Sequence, residues 1–202
     1  MTSFRFVAVA SATACIGASA SAGVVTFVNQ VLWTNFSSSQ GKTVATETFG
    51  GVADGFYATP VSGSVAGITW EGSASNGLYV DGGLFSTNFA EPLTFTFSPG
   101  VHGVAGNIFG TDINFNIVPS IVQVTLNDGS SFIGFTSAAN DFIGFYSTGA
   151  AISSMTITKT GTGAGAVFPT VDNLYFAVPI PAPGALALVG LAGLVGGRRT
   201  RR

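Results

Sequence analysis

Apolar and polar side chains alternate with period two through the middle of the chain, between Gly23 and Val178. That period belongs to strands with one buried face and one wet face. Leu93-Thr94-Phe95-Thr96-Phe97-Ser98 alternates without a break and puts Leu93, Phe95 and Phe97 on one side. Val122-Gln123-Val124-Thr125-Leu126-Asn127 repeats the pattern, and Asn127-Asp128-Gly129 follows it as a hairpin signal. Met155-Thr156-Ile157-Thr158, Leu174-Tyr175-Phe176-Ala177 and the shorter Ile68-Thr69-Trp70-Glu71 predict further strands, and Asp81-Gly82-Gly83 predicts a turn. No stretch of this region has a convincing helical period. Short strands separated by Gly-rich turns predict an all-β fold: an antiparallel two-sheet sandwich, jelly-roll-like, flanked by an N-terminal signal peptide helix and a C-terminal apolar helix. Phe132-Ile133-Gly134-Phe135 recurs as Phe142-Ile143-Gly144-Phe145. The echo predicts two neighbouring strands with their Phe side chains packed together.

Composition adds where the protein goes. Charged residues make up 8% of the chain, against about 25% in ordinary soluble proteins. The hydrophobic fraction is 47%, and much of the excess sits at the two ends. Near the N-terminus, Arg5 supplies a positive charge, Phe6 to Ala14 is mostly apolar, and Ala20-Ser21-Ala22 fits a small-residue cleavage site. The run is shorter than the roughly 18 residues that a membrane span needs. Residues 1–22 therefore read as a secretory signal cut between Ala22 and Gly23, which makes the Sec translocon and signal peptidase partners. Thr13-Ala14-Cys15 resembles a lipoprotein site only weakly, because Ala12 stands where Leu is expected. Cleavage after Ala22 removes Cys15, the single cysteine, and leaves no disulfide, thiol nucleophile or cysteine metal site.

At the other end, Val178-Pro179-Ile180-Pro181-Ala182-Pro183 is a Pro-rich hinge. Gly184 to Gly197 is entirely Gly, Ala, Leu or Val, and Arg198-Arg199-Thr200-Arg201-Arg202 follows. Basic residues beyond an apolar segment stay on the cytoplasmic side, so the domain would lie outside. A buried terminal helix would explain neither the prolines nor the arginines. The order of hinge, apolar segment and basic cluster resembles the PEP-CTERM sorting signal, over about the last 25 residues. The family pattern is Val-Pro-Glu-Pro, and here Ile180 replaces the Glu. The resemblance implies that an exosortase-like enzyme recognises the Pro motif and processes the tail in the inner membrane. It also implies a Gram-negative-type host that makes extracellular polysaccharide, and residence in the cell envelope or on the cell surface. The predicted organisation is a signal peptide over 1–22, a β-sandwich over 23–178 and a sorting tail over 179–202.

The middle region carries Lys42 and Lys159 against nine carboxylates, a formal charge of 2 − 9 = −7. An acidic domain repels phosphate backbones, which excludes nucleic acid as a partner. His102 is the single histidine, so it would have to serve any Ser-His-Asp triad, and its place after Pro99-Gly100-Val101 reads as a turn. One His and no mature Cys cannot build a usual catalytic zinc site. A glycosidase needs two opposed carboxylates. Glu47, Asp54, Glu71, Asp81, Glu91, Asp112, Asp128, Asp141 and Asp172 cannot be paired from sequence, and most sit in turn-like surroundings. No catalytic residue is assigned, and the domain reads as non-enzymatic.

Calcium takes oxygen ligands alone and is the one cofactor admitted. By analogy with jelly-roll sugar-binding modules, Glu47 near the start and Asp172-Asn173 near the end are the candidate ligands. The candidate sugar platforms are Trp33, Trp70, Tyr57, Tyr79, Tyr146 and Tyr175, with Tyr57 and Trp33 singled out for contact. Three readings follow, in this order: a structural or adhesive surface protein, a carbohydrate-binding module for exopolysaccharide, and last a glycoside-active enzyme, which would need two acids in a defined cleft. A row of exposed aromatics on one sheet face favours the second; scattered buried aromatics favour the first.

Overall fold

The computed structural model describes residues 23–160 and 166–180. These residues form two antiparallel sheets around a shared core. The first sheet runs in the order β1 (Val24–Phe27), β12 (Phe142–Ser147), β9 (Gly103–Thr111), β14 (Phe168–Pro179), β7 (Leu84–Thr87), β6 (Leu78–Asp81), β3 (Gly55–Tyr57). The second runs β11 (Ser131–Thr136), β10 (Ser120–Leu126), β13 (Ser154–Thr160), β8 (Leu93–Phe97), β5 (Ile68–Ser73), β4 (Val61–Val65). An eighth strand of the first sheet, β2 (Lys42–Glu47), pairs with the second half of β14, while β7 pairs with its first half.

The alternation read from the sequence is the burial pattern of the strands. Leu93 and Phe95 are fully buried and Phe97 nearly so; Val122, Val124 and Leu126 are buried with them. Met155 and Ile157 of β13 and Leu174 and Phe176 of β14 face the same core from their two sheets. Its centre is aromatic: Phe49 packs against Trp70, Phe85 and Phe95 at ring separations of 5.2, 4.9 and 6.0 Å. Phe97 of one sheet meets Phe176 of the other at 5.5 Å, edge-on. Both predicted turns are present. Gly82 and Gly83 have φ of +57° and +87°, the two positive angles that a tight hairpin of this type demands.

Two expectations need correction. A helix, α1 (Gln30–Ser39), lies where none was predicted. Its apolar residues, Val31, Leu32, Trp33 and Phe36, span less than two turns, too short a run to stand out as a helical period, and Ser37-Ser38-Ser39 resembles a turn. Yet Asn29 caps it, its side chain accepting from the Leu32 N–H at 3.0 Å. Trp33 and Ser37, four residues apart, form its buried edge. This edge seals the outer face of the first sheet, where Trp33 packs with Ala105, Phe142, Tyr146, Tyr175 and Ala177. The second correction concerns the Phe-Ile-Gly-Phe echo. Its copies fall in different sheets: β11 ends the second sheet, and β12 lies between β1 and β9 in the first. Phe145 is fully buried, whereas its counterpart Phe135 is 68% exposed.

The predicted terminal helices lie outside the described residues. β1 starts one residue after the expected cleavage point, and Gly23 is tied down by a hydrogen bond from its N–H to Thr148 Oγ1 at 3.3 Å. At the other end β14 runs into the Pro motif. Val178 is a buried core residue, Pro179 pairs with Lys42, and Ile180 is exposed. β14 therefore extends to Pro179, inside the motif itself.

Candidate functional site

Among the described residues, a cleft of about 480 Å³ opens on the outer face of the first sheet. Strand alternation builds one wall. In β6, Leu78 and Val80 turn into the core, so Tyr79 and Asp81 must turn out. Tyr79 is 41% exposed, and directly opposite it on β3 stands Phe56, 52% exposed. The other wall is the loop from Asp112 to Asn116, between β9 and β10. Asp112 Oδ1 accepts the N–H groups of Asn114 and Asn116 at 2.8 and 2.9 Å, and Asn116 Nδ2 reaches Oδ2 at 3.0 Å. These bonds, the Asn116 side chain foremost, hold the Asp112 carboxyl below its ordinary range. The loop so fixed carries Phe115 in the left-handed region, with φ of +60°. Its ring sits 5.9 Å from that of Tyr79, tilted by 49°. Tyr79 and Phe115 thus form an aromatic pair in the cleft, and Phe56 adds an exposed ring opposite Tyr79 on β3, outside the lining.

Ser86 and Thr87 of β7 line the cleft between these walls, and Ser86 is held from behind by a chain of buried hydroxyls. Thr170 Oγ1 lies 2.8 Å from both Ser86 Oγ and Thr111 Oγ1, linking β7, β14 and β9. Asn88 and Asn114 line the cleft together with Asp81 and Asp112. The Asp81 carboxylate accepts no hydrogen bond among the described residues. Neither Lys42 nor Lys159 lies in the lining. Flat apolar rings, amides, hydroxyls and carboxylates without a cation suit a polyhydroxylated ligand that is neutral or positively charged.

The residues singled out in the sequence lie elsewhere. Trp33 is fully buried under α1 and donates its Nε1–H to the Phe145 carbonyl at 3.1 Å, so neither ring face is open. Tyr57 packs against the core, with its hydroxyl donating to the Ala53 carbonyl at 2.6 Å; its neighbour Phe56 is the one that faces out. Trp70 and Tyr175 are buried, and burial pushes the Tyr146 phenol above its usual range. His102 is half-buried just before β9 and does not line the cleft.

Glu47 and Asp172-Asn173 do come to adjoining strands, since Glu47 is in register with Leu174. They point to opposite faces of the sheet. Leu174 faces the core, and so does Glu47, whose carboxylate accepts the Phe49 N–H at 2.8 Å and the Trp70 Nε1–H at 2.9 Å. Asp172 and Asn173 form a bulge. Asn173 Nδ2 donates to Asn107 Oδ1, which also receives the Tyr175 hydroxyl at 2.7 Å on the face covered by α1. Burial raises the Asp172 carboxyl above its ordinary range. Among the described residues no three His, Cys, Asp or Glu side chains converge as a metal site would require.

Sequence reasoning had Tyr79, Asp81 and Asp112 among its candidates but could not assemble them. Asn88, Asn114 and Phe115 were missed. The signal for the loop was present in Asp112-Ile113-Asn114-Phe115-Asn116, where a carboxylate precedes two amides and an aromatic. The chain matches no protein-family model and no curated protein.

Proposed function

We propose that the domain is a non-catalytic carbohydrate-binding module, a jelly-roll-like sandwich displayed at the cell surface through its PEP-CTERM-like tail. The Tyr79–Phe115 ring pair in the polar cleft, with exposed Phe56 opposite Tyr79, carries this reading. Flat rings stack on the apolar faces of pyranose rings, while Asn88, Asn114 and Asp81 answer the hydroxyls. The absence of Lys from the lining points to neutral or amino-sugar polymers rather than acidic ones.

Affinity electrophoresis of the purified protein in gels containing neutral, amino-sugar or uronic-acid polysaccharides tests the module. The expected result is retardation in the first two, lost in Tyr79→Ala by at least about tenfold in affinity. Retardation by none of the polymers, or equal retardation of wild type and Tyr79→Ala, would overturn the reading. Intact mass of the protein from its native host tests the sorting half: the expected species starts at Gly23 and ends near Val178. A chain retained through Arg202 would mean a plain membrane anchor.

A further inference from the structure

The strand β11 closes one side of the second sheet, and β10 occupies only one of its two edges. The phase of the hairpin shows what the other edge offers. The Leu126 N–H donates to the Ser130 carbonyl at 2.8 Å, so Leu126 and Ser130 form a hydrogen-bonded pair. Such pairs alternate along an antiparallel ladder. With Val124 opposite Phe132 and Val122 opposite Gly134, those residues bond to β10. Ser131, Ile133 and Phe135 therefore turn their N–H and C=O groups away from β10, three donors and three acceptors that no strand among the described residues meets.

The same strand exposes apolar side chains. Ile133 is 59% exposed, Phe135 68%, and Ile121, which pairs with Phe135, 42%. Edge strands are ordinarily guarded by Lys, Pro or a bulge. Ser131-Phe132-Ile133-Gly134-Phe135-Thr136 has no charge and no Pro, and its register with β10 is unbroken.

We infer that the open edge of β11 pairs antiparallel with β11 of a second copy of this chain, joining two six-stranded sheets across a two-fold axis. The bare row of backbone groups calls for a strand, and one strand related to itself by a two-fold axis sets donors against acceptors. With the axis at Ile133, each Ile133 faces its copy and each Phe135 faces Ser131. All three outward residues then enter the ladder, and the exposed Ile and Phe side chains lie diagonal to one another on one face. Charge supports this site for like copies. A domain of formal charge −7 repels itself, and β11 is a stretch without acids. Asp128 and Asp141 flank it at the two ends, so screening by salt strengthens the association. One strand a side covers well under the roughly 800 Å² per partner of a standard interface. The dimer is accordingly weak, reversible and dependent on concentration.

Sedimentation velocity of the full chain in mild detergent, over a wide concentration range, tests this. The expected result is a monomer–dimer equilibrium that tightens with salt. Ile133→Pro removes an N–H that points away from β10, and Phe135→Lys puts a charge on the outer face; each is expected to weaken dimerisation at least about tenfold. A wild type that stays monomeric throughout overturns the inference, as does a dimer unmoved by both variants. If either variant fails to fold, hydrogen exchange on the wild type decides. The Ile133 and Phe135 amides gain protection with rising concentration if the edges pair, while Phe132 and Gly134 stay protected at all concentrations. Concentration-independent exchange at Ile133 and Phe135 overturns it.

Discussion

Glu47→Ala should destabilise the sandwich by about 3 kcal/mol, through hydrogen bonding alone. The carboxylate accepts two donors: the Trp70 indole N–H and the Phe49 backbone N–H. Both residues are buried, Trp70 2% exposed and Phe49 not at all. A buried donor left unmet costs about 1–3 kcal/mol, and Ala leaves two. Phe49 adds to the dependence, because its φ of +56° is unfavourable for a residue with a Cβ and its bond to Glu47 helps to hold it. Glu47→Gln keeps one acceptor and should lose about half as much. For a domain of this size the Ala variant should melt roughly 6–12 °C below wild type, followed by near-ultraviolet circular dichroism and Trp fluorescence. The same melts with and without chelator separate this role from calcium ligation. If Glu47 acts as an acceptor within the core, chelation leaves the wild type unchanged. A wild type that melts as low in chelator as Glu47→Ala, or an Ala variant within about 2 °C of wild type, would refute the reasoning.

Trp33→Ala should cost about 3–5 kcal/mol, the usual range for emptying a large buried ring. It also frees the Phe145 carbonyl and leaves α1 without its main anchor, so fast hydrogen exchange confined to α1 should accompany the lower denaturation midpoint. Asp172→Asn should stabilise the fold at neutral pH, by less than about 1 kcal/mol given the partial exposure of the site. The sign follows from a carboxyl whose folded pKa is raised by burial. The fold bears a cost wherever Asp172 is ionised, and that cost fades as pH falls through the raised value toward the ordinary one near 4. The variant's advantage should therefore disappear in acid. The Tyr175 phenol, raised first by burial and then by the Asp172 charge, should titrate at lower pH in the variant. A phenolate absorbance titration unchanged by the substitution would contradict this coupling.

The aromatic face of the cleft was half legible in the chain, and the reason is local. Tyr79 and Asp81 turn outward because Leu78 and Val80 turn inward, a consequence of period two that any reader of Leu-Tyr-Val-Asp can draw. Likewise Leu93, Phe95, Phe97, Val122, Val124 and Leu126 announce their buried face, because side chains alternate whatever the sheet they join. The hairpins after Leu126 and Asp81 are written in residues that accept positive φ. Thus the all-β class, the turns and much of the core were determined by sequence alone. Which strands become neighbours was not. The two Phe-Ile-Gly-Phe segments have the same local pattern, yet one ends a sheet and the other lies within the opposite sheet. Pairing depends on long-range complementarity that local periodicity does not encode. For the same reason the loop of Asp112 could not be placed beside Tyr79, nor Glu47 and Asn173 assigned to opposite faces of adjoining strands. α1 lay hidden because a ten-residue helix draws its stability from the sheet it covers rather than from its own pattern. Tertiary structure decided these points because each rests on contacts between residues far apart in the chain, and such contacts exist only once the two sheets have closed on their core.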